Sequence, residues 1–236
     1  MKRQVLILAF IMAFTVSFGQ WSLTGLTDVG ESTTSYGIYF RPSVSIGYEY
    51  KAYEFNAGIQ TLFTNVDRSP FSGWFISGDV DYEVNDFDLT TGAFIRNSIY
   101  ANKTRETNIG IIFGHQWKHI DAQLGFNVRL YSIDPVQVDP SKDHTIWEYR
   151  NFVYRGMYWV MDRRSDWNLG AGFTNYDWFI IQQETNPALR FAGFYYLNEE
   201  LKLMAEWWMQ PSGMLNLHAD LYGYFFRIGV KWQPGN

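Results

Sequence analysis

Two sets of residues in this sequence have the types for bond-making or metal chemistry. His218 and Asp220 stand two apart on one strand face, and Ser212 precedes them in "QPSGM". A serine, a histidine and an acid can run acyl transfer when they lie within hydrogen-bond reach of one another. Their spacing matches no serine-elbow motif, and Leu215, Leu217, Ala219 and Leu221 indicate a change of phase that would turn His218 inward. No catalytic residue is assigned, and the chain is not read as an enzyme. Asp134, Asp139, Asp143 and His144 crowd the stretch "DPVQVDPSKDH", an oxygen-rich run of the kind that binds calcium and equally of the kind that forms a solvated acidic loop. No metal site is assigned. There is no Gly-rich phosphate loop and no HExxH, and with no cysteine thiol chemistry is excluded. No cofactor is expected.

The remaining chemistry is charge. Glu49, Glu54, Asp79, Asp81, Glu83, Asp86 and Asp88 come from the first half of the chain, and Arg129, Arg190, Lys202, Arg227 and Lys231 from the second. Each lies on the polar side of an alternating segment. Arg150 or Arg155 joins the basic set, depending on local phase, while Arg41, Arg96, Glu148 and Glu206 break the division. An acidic and a basic wall facing each other would set up a transverse field able to sort small polar solutes. The same charges could instead pair and close the interior.

The elements that must position these charges are strands. In "LYGYFFRIGVKWQ", Tyr222, Tyr224, Phe226, Ile228, Val230 and Trp232 share one face and Gly223, Phe225, Arg227, Gly229, Lys231 and Gln233 the other, because side chains alternate with period two. The pattern recurs in twelve segments: near Trp21–Gly30, then Tyr36–Tyr50, Ala52–Phe63, Ser72–Val84, Asp86–Tyr100, Glu106–Lys118, Ile120–Ile133, Thr145–Val160, Asp166–Ile181, Ala188–Leu197, Leu201–Met209 and Leu215–Gln233. Thr145–Val160 changes phase midway, which a bulge near Arg150 would reconcile. Tight turns at Tyr50-Lys51, Val84-Asn85, Lys118-His119, Asp162–Ser165 and Asn198–Glu200 alternate with generally longer connections.

Composition sharpens this. Aromatics are 19% of residues, yet mean hydropathy is only -0.22 and charged residues are 18%. Tyr48, Tyr50, Tyr53, Tyr82, Trp117, Tyr158, Tyr195 and Trp232 lie near short turns or the C-terminus, whereas Phe63, Trp74, Trp147 and Trp207 lie toward the longer connections. Two aromatic bands around an aliphatic belt are the girdles that amphipathic rings form at membrane interfaces. A soluble sandwich or lipocalin-like barrel with an aromatic core is the alternative, and it leaves the gathering of rings at strand ends unexplained.

At the N-terminus, "MKRQVLILAFIMAFTVSFGQ" has a basic head, an apolar run, and Ser17 and Gly19 before Gln20. It reads as a secretory signal peptide, residues 1–19, ahead of one domain spanning 20–236. The chain has 19 basic against 24 acidic residues, so no basic excess points to nucleic acid.

With Tyr222, Tyr224, Phe226 and Trp232 closing the chain, the sequence resembles the Gram-negative outer-membrane β-barrel class. The resemblance is one of pattern, covers essentially all of residues 20–236, and is porin-like. It implies a last strand read by the insertion machinery through its alternating aromatics. The expected fold is all-β: an up-and-down antiparallel transmembrane β-barrel of about 12 strands, placed in the outer membrane. Such a barrel has a backbone radius of roughly 12 Å, leaving a bore only a few ångströms across. The expected function is a narrow passive channel for ions or small polar solutes, with outer-membrane lipid as surroundings. A structural or interaction barrel binding a protein partner through external loops, and a lipid-active outer-membrane enzyme, stand as alternatives.

Overall fold

Each alternating segment leaves one face that needs an apolar medium and one that needs polar company, and a strand also needs both its backbone edges paired. Closing the sheet on itself meets all three needs. A computed structural model describes residues 19–32, 37–64, 68–84, 87–99, 105–132, 145–162, 165–177, 187–212 and 220–234. It contains twelve strands: β1 (Gln20–Ser32), β2 (Gly37–Tyr50), β3 (Tyr53–Thr64), β4 (Arg68–Val84), β5 (Phe87–Ile99), β6 (Arg105–Trp117), β7 (Ile120–Ser132), β8 (Thr145–Trp159), β9 (Trp167–Thr174), β10 (Ala188–Tyr196), β11 (Leu201–Ser212) and β12 (Asp220–Trp232). Every strand pairs antiparallel with its chain neighbours, and β1 pairs with β12 to close the barrel.

The greasy face is outside. Ile228 is 64% exposed and Phe226 53%, while Arg227 between them is 5% exposed. On β6 and β7, Ile109, Ile111, Phe113, Leu124 and Phe126 face out, and Asn108, Gln123, Asn127 and Arg129 are buried. Only an apolar solvent favours this arrangement, and in it a closed ladder is required because each unpaired backbone group in hydrocarbon costs several kcal/mol. Exposed Trp117, Tyr158, Trp167, Tyr195 and Trp232 sit close to the short turns. Among the described residues no helix is long and apolar enough to cross a membrane.

Two of the tight turns are two-residue loops. Tyr50 pairs with Tyr53 around Lys51-Ala52, and Trp117 pairs with Ile120 around Lys118-His119. Lys51 takes a φ of 55°, the left-handed conformation of a primed hairpin turn, whereas Lys118 and His119 keep negative φ.

Three irregularities shape the interior. Asn127 faces Asn151 and Arg129 faces Glu148, so β8 carries an extra residue at Tyr149-Arg150, where the change of phase requires one. Opposite Pro211, which has no N–H to give, Leu221 and Gly223 bracket an unmatched Tyr222. The third lies between Gln60 and Leu62 on β3.

Some boundaries depart from the sequence pattern. β4 begins at Arg68, leaving 65–67 as a connection shorter than "NVDRSPF". β9 ends at Thr174 rather than Ile181, because the chain there leaves the wall and turns inward. β12 is described from Asp220, and positions 215–219 of the expected segment lie outside the described residues. His218, Asp134, Asp139, Asp143, His144 and Asp86 lie outside the described residues, as does the leader through Phe18.

Candidate functional site

The inner face is organised around Asp28 on β1. Antiparallel register puts Arg41 of β2 and Arg227 of β12 directly opposite it, one on either side. Arg227 donates from Nε (2.6 Å) and Nη2 (2.9 Å) to the two carboxylate oxygens. Arg41 donates from Nε (3.0 Å) and Nη2 (2.5 Å) to Oδ2. A fork of planar donors on a carboxylate is the strongest geometry for such a pair. The chain of charge continues along the wall: Glu206 on β11 lies 3.5 Å from Arg227, accepts from Arg190 of β10 at 2.5 Å, and accepts from the Trp208 indole N–H at 2.7 Å. From β2 round to β10, five adjoining strands thus present Arg41, Asp28, Arg227, Glu206 and Arg190, with charge alternating in sign.

Aromatic rings floor this arc. Trp208 and Phe225 stack with centroids 5.2 Å apart and planes 16° from parallel, and they are buried with Tyr39 and Ala188. The Arg227 guanidinium lies 5.5 Å from the Phe225 centroid and 5.7 Å from that of Trp208, and Arg41 lies 5.5 Å from Tyr39. Flat cations on flat rings keep the arginines in place and partly replace lost hydration. Gly30 makes room: a Cβ there would come within 2.2 Å of the Tyr224 carbonyl oxygen and 2.4 Å of Phe225 Cβ.

Further round, Glu106 of β6 lies 3.0 Å from Arg129 of β7, and Asn108 and Asn127 complete a buried hydrogen-bonded patch. Asp121 accepts from Arg155 at 2.9 Å. The counter-charges of the arginines therefore come mostly from adjoining strands, not from an acidic wall opposite. Lys231 is the exception among the basic set, reaching Glu49 at 3.3 Å. Lys202 lies over Phe194, 4.1 Å from the ring centroid.

The early carboxylates form a separate group near the short-turn end. Glu49 stands opposite Glu54, Glu54 opposite Asp79, and Glu83 opposite Asp88. Asn56 donates to Glu54 at 2.9 Å and Thr90 to Asp81 at 2.5 Å. Among the described residues no lysine or arginine lies in ion-pair range of Glu54, Asp79, Asp81, Glu83 or Asp88, and the last three of these are solvent-exposed. The charge separation thus runs along the barrel axis as well as around it: an acidic mouth, then a belt of paired arginines.

Past β9 the chain folds into the barrel. Thr174 donates its hydroxyl to the Tyr154 carbonyl (3.1 Å). Asn175 then replaces a strand partner, its Nδ2 donating to the Phe152 carbonyl (2.6 Å) while its Oδ1 accepts from the Tyr154 N–H (2.8 Å). Tyr176 is buried with Phe94 and Val153 and donates its hydroxyl to Gln123, and Asp177 reaches Arg227 at 2.7 Å. Asn175→Ala should cost about 1–3 kcal/mol of stability, because two backbone groups of β8 lose their partners inside the barrel. Urea titration of the folded barrel in detergent, with faster hydrogen exchange at the Tyr154 amide, would report it.

Sequence pattern had placed Arg41 and Glu206 outside the main charge division, and Asp28, Glu106 and Asp177 were not singled out. Asp28 does share the phase of Ser22, Thr24 and Leu26, all buried, which is a usable signal. His115, on the outward phase, bonds through Nδ1 to the Asp88 carbonyl at 2.9 Å, near the short-turn end.

No family model matches the chain, and no curated protein does. Solved structures do. A KdgM porin in complex with disordered oligogalacturonate superposes with a TM-score of 0.56 at 8% identity, over 89% of this chain and 98% of that one. The NanC porin gives 0.55 at 12% identity, over 88% and 98%. An outer-membrane channel from Pseudomonas putida F1 gives 0.52 at 8% identity, over 92% and 96%. At such identities the likeness is one of fold: along nearly its whole length the chain has the closed β-barrel architecture of these outer-membrane proteins.

Proposed function

We propose that this barrel is a narrow passive channel for ions or small polar solutes, made with a leader, residues 1–19, that is removed on export. The observation that carries the reading is the lining itself. A barrel meant only to span lipid could fill its centre with apolar side chains, yet this one spends its inner face on arginines, carboxylates and amides. Twelve strands lie between the eight that are filled by side chains and the sixteen that hold an open pore. The acidic mouth raises local cation concentration, and the arginine belt behind it presents donors to any anion that enters. Glu49, Glu54, Asp79, Asp81, Glu83, Asp86 and Asp88 on one side, and Arg129, Arg190, Lys202, Arg227 and Lys231 on the other, are the lumen-lining residues of this reading. That a KdgM porin has been seen with oligogalacturonate supports passage of polar solutes through a barrel of this fold.

Purified protein in a planar lipid bilayer should show discrete current steps. Lys202→Gln with Lys231→Gln should shift the reversal potential in a salt gradient toward cations, since both lysines sit at the same end as the carboxylates. The completeness of ion pairing in the arginine belt favours a second reading, a closed structural barrel that works through partners at its external loops. Silent bilayers from correctly folded protein would favour that one.

A further inference from the structure

Three residues outside the barrel wall tie its far sides together. Tyr176 stacks on Phe94 of β5 with centroids 6.4 Å apart and planes 12° from parallel, and its ring lies 5.6 Å from the Arg96 guanidinium. Its hydroxyl bonds to Gln123 of β7. One residue later, Asp177 meets Arg227 of β12. In barrel order β5 and β12 are nearly opposite, so the Asn175–Asp177 segment crosses the bore.

Charge gathers at the crossing. Among the described residues, Arg41, Arg96, Arg190 and Arg227 bring four guanidinium groups, and the wall strands set Asp28 and Glu206 against them as carboxylates. Asp177 is a third carboxylate, and among the described residues at the crossing it is the one that the wall does not carry. Arg227 is already forked onto Asp28 through Nε and Nη2, and its Nη1 makes an ion pair with Asp177 at 2.7 Å and lies 3.5 Å from Glu206. Arg96 lies within electrostatic reach of the same carboxylate and is buried between Phe94 and Tyr176. The position is thus a carboxylate site built from a guanidinium in ion-pair contact, a second cation and an aromatic wall, filled by a side chain of the protein's own.

We propose that this crossing is a carboxylate-binding constriction whose resident ligand is Asp177, so that Asp177 sets the ionic preference of the bore and small carboxylates are the solutes that compete for its place. The proposal rests on the channel reading for its ion preference, but the binding site itself does not. With Asp177 present, an arriving anion meets an Arg227 face already occupied by a carboxylate. Without it that face gives up one negative charge, and the constriction should hold and pass anions.

Asp177→Asn keeps the shape and removes the charge. In planar bilayers it should raise the anion-to-cation permeability ratio several-fold, while Glu199→Gln, an equal charge change on the exposed β10–β11 turn, should not. A conducting Asp177→Asn channel with unchanged permeability ratio overturns the proposal. Asp177→Ala opens the site to a free carboxylate, which can be read without current. Sodium acetate, against sodium chloride at equal ionic strength, should raise the unfolding temperature of the detergent-folded Asp177→Ala barrel and leave the wild type unmoved. Equal responses to the two salts overturn the site whether or not the protein conducts. Acetate-specific stabilisation with silent bilayers would keep the site and remove only the channel. Should Asp177→Ala not fold, the permeability measurement on Asp177→Asn decides alone.

Discussion

Asp28→Ala should cost the folded barrel about 3–5 kcal/mol, the loss that follows when one partner of a buried ion pair is removed and the other stays behind without its counter-charge. Asp28 is 2% exposed and serves two arginines at once. Arg227 would keep Asp177 and Glu206 nearby, so Arg41 bears most of the loss. The size of the effect does not mean that the network stabilises the fold on balance, since desolvation of five charges offsets much of their attraction. A double-mutant cycle separates the two ideas: Asp28→Ala with Arg41→Met should cost less than the sum of the single changes, because the pair is removed together. Urea titration of detergent-folded protein, followed by tryptophan fluorescence and gel mobility, measures each variant. A loss below about 1 kcal/mol, the range of exposed pairs, would put these charges in free contact with water and end the account of a buried belt.

Ile111→Arg should cost about 2–4 kcal/mol in a lipid bilayer, and Ile120→Arg only about 0–1 kcal/mol. Ile111 is at the middle of β6, 47% exposed, with outward-facing Ala93 and Phe126 as its strand partners. Ile120 is equally outward but starts β7 beside the Lys118-His119 turn, where a long cation can reach the headgroups. The contrast discriminates between media. Were water outside, a surface isoleucine changed to arginine would be nearly neutral at both positions. Folding into vesicles of defined thickness, with stability read from urea titration, supplies the comparison, and equal costs at the two sites would contradict the membrane placement of the strands.

Much of this architecture is readable along the chain because period-two alternation is local. Which residues of Leu221–Gln233 share a face follows from covalent geometry alone, and Phe226, Ile228 and Val230 outside with Arg227 inside is the result. The extra residue of β8 was legible for the same reason: Trp147 and Phe152 could not otherwise lie on one face. β1 pairs with β2 along its whole length and with β12 from Leu23 to Ser32, since a closed sheet leaves no strand unpartnered whatever its own propensity.

Period alone cannot say which residue stands opposite which. That Asp28 lies between Arg41 and Arg227 depends on the registers of two separate strand pairs, one of them joining the two ends of the barrel. Charge counting along the sequence therefore suggested facing walls, where register instead places arginines and carboxylates side by side. Asp177 was hidden for a related reason: "DWNLGAGFTNYDWFII" alternates well enough to read as one long strand, and nothing local marks Asn175 as the point where side-chain bonds to β8 replace the ladder. Local chemistry thus decided that there would be twelve strands with an oily and a polar face. Which charges meet across the polar face, and that a short inward turn carries a carboxylate to Arg227, was decided only when closure brought distant segments together.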